Sequence, residues 1–299
     1  MRYRREPVFL IGYDVEAQEE KEWRKTRRFL KLSSSIHREL NIPCTFFICG
    51  RTLENNQKEF IEIREQFSDL IDFQQHTYSH ICLKEIRYHR DTPLLDPEGK
   101  EVYPEGETVF EAGNPQQIKE EVKKTNKLLK EILGVTCTGL TAPYGAPKGL
   151  MDRGDLLYIL QKEGIKFIRS WNGREDRWDP INATPLTIQP FFYGGSGYPE
   201  IMEFPIHLVD NVNRERYGWS NHLLYFGLVK AKMEKAMEGR LVFSYLQHDH
   251  SSVTGDEEME LTYKILETAK KMGFQFYTYW HYYLKERAKS KLSFLKDYS

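Results

Sequence analysis

"NPQQIKEEVKKTNKLLKEILGVTCTGLTAP", residues 114–143, sets a helix and a strand back to back. The helix opens on an Asn-Pro start signal, carries Ile118, Val122, Leu128, Leu129 and Ile132 near one face, and stops at Gly134. The apolar run that follows, 135–143, is strand-like. The pairing recurs in both directions along the chain. Strands are expected over 7–14, 42–50, 69–76, 165–170, 240–248 and 274–280. Helical patterns fall over 21–40, 57–67, 150–163, 221–238 and 256–272. Alternation of this kind predicts parallel strands covered by helices. With about seven units, a closed or partly closed β/α barrel is the first expectation and an open doubly wound sheet the second. The whole chain, 1–299, reads as one catalytic domain. Turn-rich insertions near 90–113 and 172–200 are loops of the kind that grip substrates.

Charged residues make up 29% and aromatics 13% of the 299 residues, which suits a globular enzyme rather than a disordered or fibrous chain. A formal net charge of -1 offers no field to recruit nucleic acid or anionic lipid. The apolar run after the basic start "MRYRRE" ends at Asp14, too soon for a signal or membrane segment, and no other stretch approaches a membrane span. Cys44, Cys49, Cys82 and Cys137 show no CxxC spacing, so free thiols and a cytoplasmic location are expected.

The polar residues gather at predicted strand ends. The first strand ends in Asp14-Val15-Glu16, whose two carboxylates face one side of an extended chain. The run "HTYSH" places His76 and His80 four apart, on one face if a helix begins there. Further strands end in "TAPYG" (141–145) and "LQHDH" (246–250). In parallel β/α architectures these ends share the strand C-terminal face, where active sites form. Two histidines and a carboxylate make a common divalent-metal set. Hydrolysis also needs a base for water and an acid for the leaving group, and Asp14 and His248 are candidates. Each signal has a plainer reading: surface histidines at 76 and 80, an Asx turn at Asp14, the start of an acidic helix at Glu16, a satisfied sheet-edge histidine at 248. Loop aromatics such as Trp171, Trp178, Trp219, Tyr193 and Tyr198 suit a sugar-stacking wall, or packing beneath the loop.

Over roughly residues 7 to 280 the sequence resembles the polysaccharide deacetylases of the NodB-homology type, carbohydrate esterase family four. "HTYSH" resembles the family's His-[Ser/Thr]-x-x-His metal motif, "CTFFICG" its structural "ATFFVxG" strand, and "YDVE" variants of its aspartate-containing first motif. "APYG" resembles the end of its Arg-x-Pro-Tyr-Gly motif, and "YLQH" its Leu-x-His motif. The resemblance implies a distorted β/α barrel that hydrolyses N-acetyl groups, usually on amino sugars, with a divalent metal. It implies His76, His80 and Glu16 as metal ligands, Asp14 as base, His248 as acid in preference to His250, and the backbone N–H of Tyr144 at the oxyanion. Trp171 and Trp178 join Tyr144 as candidate substrate contacts. Zinc is the default ion, with iron, cobalt, nickel or manganese compatible.

The sequence departs from the family pattern at three places. Thr141 stands where the family has an arginine that orients the catalytic aspartate. Glu16 replaces an aspartate, which leaves open whether Asp14 or Glu16 is the carboxylate ligand. The fourth motif, an Asp-Trp pair near the acid, is represented only by Asp176-Arg177-Trp178. The expected function is therefore N-deacetylation of an amino sugar or sugar conjugate, releasing acetate and a free amine. Hydrolysis of a cyclic amide or ureide, or glycan binding by a degenerate member, are the alternatives. Substrate length and oligomeric state stay open.

Overall fold

The computed structural model of the protein describes residues 6–90, 92–95, 99 and 101–296. The first third of the chain contains β1 (Val8–Val15), α1 (Glu20–Leu40), β2 (Cys44–Ile48), α2 (Gly50–Asn55), α3 (Gln57–Phe67), β3 (Ile71–Gln75), β4 (Ile86–Arg90), β5 (Leu94–Leu95), β6 (Glu101–Tyr103) and β7 (Gly106–Phe110). The middle third contains α4 (Pro115–Leu133), β8 (Gly139–Ala146), α5 (Gly154–Lys162), β9 (Phe167–Trp171), β10 (Phe191–Tyr193) and β11 (Tyr198–Glu203). The last third contains β12 (Leu208–Val209), α6 (Asn211–Tyr217), α7 (His222–Gly239), β13 (Val242–His248), α8 (Asp249–Val253), α9 (Glu260–Met272), β14 (Gln275–Phe276) and α10 (Tyr279–Lys296).

The fold is a mostly parallel α/β sheet with helices packed on it. β1 pairs in parallel with β2 on one side and β13 on the other, and the series continues through β3, β8 and β9. Residues 198–209 then bridge the remaining gap. β11 pairs with β9, Phe204 N–H donates to Ile168 O at 2.8 Å, and Ile206 N–H donates to Trp171 O at 2.8 Å. A residue later the chain turns to β13: His207 N–H donates to Ser244 O at 2.9 Å and β12 pairs with β13. Hydrogen bonds therefore run around a ring of β1, β2, β3, β8, β9, the 198–209 segment and β13.

The ring is uneven. A single residue pair, Gln75 with Leu140, joins β3 to β8. The Gln74 side chain replaces the missing ladder there: its Oε1 accepts from Thr138 N at 2.9 Å and Gly139 N at 2.6 Å. β1 is buried on both faces, as a strand sheltered by helices on one side and the ring interior on the other must be. Phe9, Ile11, Tyr13 and Val15 join Phe29 and Leu30 of α1 in the main core. Val8 and Leu10 join Phe47, Phe167, Phe204 and Tyr279 in a second cluster.

Most expected elements appear within a few residues of their bounds. The run at 274–280 is the exception: only Gln275 and Phe276 are strand, and α10 starts at Tyr279. The aromatic run supports either state by composition, but Tyr279, Tyr282 and Tyr283 also carry helical spacing. Tyr279 N–H donates to Thr45 Oγ1 at 3.1 Å, and its hydroxyl meets Ser244 Oγ at 2.7 Å. This aromatic end of α10 packs against strand residues of the ring. Among the described residues no helix is long and apolar enough to cross a membrane.

Candidate metal centre

The ends of β1, β3 and β13 bring Asp14, Glu16, His76 and His248 together, and the loop after β3 adds His80. His76 Nε2 and His80 Nε2 each lie 3.0 Å from the same oxygen, Glu16 Oε2. Asp14 Oδ2 is 3.8 Å from His76 Nε2, and Glu16 Oε1 is 4.0 Å from His248 Nε2. Two overlapping sets, Glu16-His76-His80 and Asp14-Glu16-His248, each place their ligand atoms within 4.8 Å of one another.

The donor set fits a divalent cation. His76 Nδ1 lies 3.0 Å from Thr141 O, an acceptor only, so Nδ1 carries the proton and donates. In the neutral imidazole Nε2 is then an acceptor, yet it faces the Glu16 carboxylate, another acceptor. A proton or a metal ion must lie between them. Ligands about 2 Å from a shared zinc ion sit about 3 Å from each other, the spacing found here. Burial alone would raise the Glu16 carboxyl, but the imidazoles of His80, His248 and His76 hold it well below the usual carboxylate range. Burial likewise opposes a charged His76, and Asp14 and Glu16 outweigh it and raise its pKa.

The His76–His80 pair is not helical. Thr77 and His80 both take left-handed backbone conformations, with φ of 61° and 63°, and the chain turns twice between the two rings. The rings meet edge to face at 4.7 Å between centroids. No helix begins at His76, and this turn brings the two rings together instead.

Asp14 is held by Arg169. The guanidinium donates Nη2–H to Asp14 Oδ1 and Nε–H to Thr141 Oγ1, the latter at 2.9 Å. Thr141 and Arg169 are direct partners in the β8–β9 ladder. The arginine absent at 141 thus stands one strand over. The guanidinium is flanked by the rings of Phe47 and Tyr279, 4.4 Å and 5.6 Å from its central carbon. Gly12 leaves room for it: a Cβ there would come within 2.4 Å of Arg169 Nη1.

His248 is held by Asp210, which directly follows β12. Nδ1 lies 2.6 Å from Asp210 Oδ1, and His248 N–H donates to Asp210 Oδ2 at 3.1 Å. Burial disfavours the charged ring, but Asp210 and then Glu16 prevail, and the pKa is raised to about 10. The Asp-Trp motif does not supply this carboxylate: Asp176 and Arg177 are exposed, while Trp178 is buried. Asp249 is buried, accepting from Thr26 Oγ1 at 2.6 Å and Glu16 N at 3.4 Å. His250 leans on Asp249 at 3.4 Å and remains 28% exposed at the rim.

Tyr144 sits where the β8–β9 register breaks between Thr141 and Ala146, with φ of 61°. Its carbonyl accepts from Asn172 Nδ2 at 2.9 Å and Trp178 Nε1 at 3.0 Å, and its ring lies 4.9 Å from that of His80. Trp178 therefore braces the bend in β8 at Tyr144. Trp171 and Tyr193 are buried, Tyr193 against Glu203. Reading the sequence missed Arg169 and Asp210. Arg169 had a usable signal, since a charge inside the apolar strand "IKFIRS" needs a buried partner. Asp210 had a weaker one, as an acid ending the apolar run "FPIHLVD".

Residues 27–168 match the family model described as polysaccharide deacetylase. A Mycobacterium smegmatis protein classed with the polysaccharide deacetylases shares the fold at a TM-score of 0.65 and 13% identity, over 97% of this chain and 93% of that one. A pseudoenzyme of carbohydrate esterase family four from Bacillus anthracis aligns at a TM-score of 0.50 and 13% identity, over 92% of this chain and 65% of its own. A 4-alpha-glucanotransferase from Thermococcus litoralis aligns at 0.58 and 13% identity, over 94% of this chain and 40% of its own. No curated protein sequence matches the chain. Residues 27–168 thus resemble the polysaccharide deacetylases in sequence, and the chain as a whole shares the fold of solved structures that include a protein classed with them.

Proposed function

We propose that the protein is a divalent-metal-dependent N-deacetylase that hydrolyses the acetamide of an N-acetylated amino sugar or sugar conjugate to acetate and a free amine. The observation that carries this reading is the approach of His76 Nε2 and His80 Nε2 to one Glu16 oxygen, 3.0 Å each. Glu16, His76 and His80 would hold the ion: zinc first, with iron, cobalt, nickel or manganese compatible with the same donors. When bound, such an ion supplies Lewis-acid polarisation and makes water more acidic.

The remaining roles fall to the chain. Asp14, aimed by Arg169, takes the proton of the attacking water. His248, kept charged and oriented by Asp210, gives a proton to the departing nitrogen. The Tyr144 N–H supports the developing oxyanion from the bend in β8 that Trp178 and Asn172 brace. Trp171, buried at the end of β9 against Phe191, is the remaining candidate substrate contact. The four cysteines are free and buried, which favours a reducing, cytoplasmic setting.

The test measures metal content and acetate release on the wild type and on His76→Ala/His80→Ala. About one ion per chain in the wild type is expected, lost in the double variant together with acetate release from N-acetylated sugar oligomers. A wild type that takes up no Zn²⁺, Co²⁺ or Fe²⁺ would overturn the metal-dependent reading. Metal uptake with no acetate release from any N-acetylated sugar would move the assignment to another amide, or to a binding protein.

A further inference from the structure

The two histidines of the metal centre are secured differently. His76 directly follows β3 and is fixed by its Nδ1–H bond to Thr141 O. His80 follows a loop with two left-handed non-glycine residues, Thr77 and His80. Such conformations are unfavourable for residues with a Cβ and persist only where the surroundings hold them. The Tyr78 hydroxyl donates to Glu54 Oε2 of α2 at 2.8 Å, and three further contacts hold the loop backbone from outside. Gly50 N–H donates to Thr77 O at 2.9 Å, and Arg51 N–H donates to Tyr78 O at 3.0 Å, both from the first turn of α2. The third contact is a carboxylate. Glu121, on α4, accepts from Tyr78 N at 2.9 Å and Ser79 N at 2.6 Å on Oε2, and from Ser79 Oγ at 2.8 Å on Oε1.

We propose that Glu121 is a positioning residue for the metal centre: by collecting three donors from Tyr78 and Ser79, it holds the loop in the conformation that turns His80 toward Glu16. The proposal rests on the metal-centre reading above. Its chemistry is that of an acceptor-only group facing converging donors, which an ionised carboxylate satisfies without a competing N–H. The anchor is well based. α4 begins with a capping box between Asn114 and Gln117, and it buries Ile118, Val122 and Leu129. Thr125 Oγ1 bonds back to Glu121 O at 2.9 Å and lies 3.0 Å from where a Cβ on Gly50 would stand, so α4, α2 and the loop meet closely. Outer partners of metal ligands typically change affinity by about 10–100-fold when removed.

The experiment is Co²⁺ titration of the full chain, with urea unfolding of the metal-free protein alongside. Glu121→Ala is expected to weaken Co²⁺ binding by about 10–100-fold. Glu121→Gln, which keeps the shape and one acceptor, should recover part of that loss. In a His80→Ala background the further loss from Glu121→Ala should disappear, because the loop no longer carries a ligand. Wild-type affinity in Glu121→Ala, or a loss of the same size in the His80→Ala background, overturns the proposal. If Glu121→Ala does not fold, Glu121→Gln and Ser79→Ala carry the test, and wild-type affinity in both overturns it. A wild type that binds no Co²⁺ would instead fail the metal-centre reading.

Discussion

Arg169 and Asp14, 155 positions apart in the chain, form a buried ion pair between β9 and the end of β1. The guanidinium uses two separate edges, Nη2 for Asp14 and Nε for Thr141. Lysine cannot reproduce that fork. Arg169→Met would leave Asp14 buried without its cation and should cost about 3–5 kcal/mol of stability, read from urea midpoints. Arg169→Lys keeps the charge and should fold, yet lose at least about tenfold in kcat with KM little changed, as expected when the aim of a base is spoiled and substrate binding is not. Unchanged kcat in Arg169→Lys would show that Asp14 is aimed by something else.

Gly12 gives an independent handle on the same pair. A Cβ at this position would lie 2.4 Å from Arg169 Nη1, 2.9 Å from Phe47 Cε2 and 3.0 Å from Tyr279 Cε2. The guanidinium cannot move aside without leaving Asp14. Gly12→Ala should therefore cost about 1–3 kcal/mol as an overpacked core site and lower activity alongside. Activity at the wild-type level with reduced stability would mean that the rings yield instead of the arginine.

Asp210→Asn tests the acid. His248 is raised to about 10, against burial, chiefly by Asp210. Losing that carboxylate lowers the proton affinity of the ring, so the alkaline limb of the kcat profile should move to lower pH. General acid catalysis contributes about 10²–10⁴-fold, and kcat should fall by about 10²-fold near neutral pH. An alkaline limb that stays in place would assign the acid to another group, with His250 the first to examine.

Much of this was legible in the sequence because periodicity and strand ends are local signals. "PVFLIGYD", "CTFFICG" and "RLVFSYLQH" announce buried strands, and the residues that close the first and third, Asp14 and His248, meet at one site, as parallel topology allows. Long-range partners leave almost no local trace. Thr141 looked like the loss of an arginine because the replacement lies across a ladder, at a distance in sequence that only the register reveals. Asp210 lay beyond an insertion, "FFYGGSGYPEIME", whose short strands β10 and β11 are separated by a glycine-rich turn. The conformation of "HTYSH" was also hidden, since left-handed residues without glycine depend on outside contacts such as Glu121 and not on propensity.

His207 should make the fold acid-sensitive through the segment that bridges β9 and β13. Its Nδ1 accepts from Ser244 N at 3.0 Å, so Nε2 carries the proton and donates to Ile188 O at 2.8 Å. A second proton would set an N–H against the Ser244 N–H. Burial pushes the His207 pKa down to about 4 from the ordinary 6.5, with the nearby Lys232 adding to the shift and Ile188 O opposing it. The unfolded chain binds this proton at about 6.5, so the neutral ring's contribution is fully present above that pH and is lost as pH falls toward about 4. That gap corresponds to about 3 kcal/mol. His207→Gln removes the titration. It should be less stable than the wild type at pH 7.5, and its urea midpoint should fall less between pH 7 and pH 4.5. Parallel declines in the two proteins would place the acid sensitivity elsewhere, with buried His37, also near 4 because of burial, the next residue to replace.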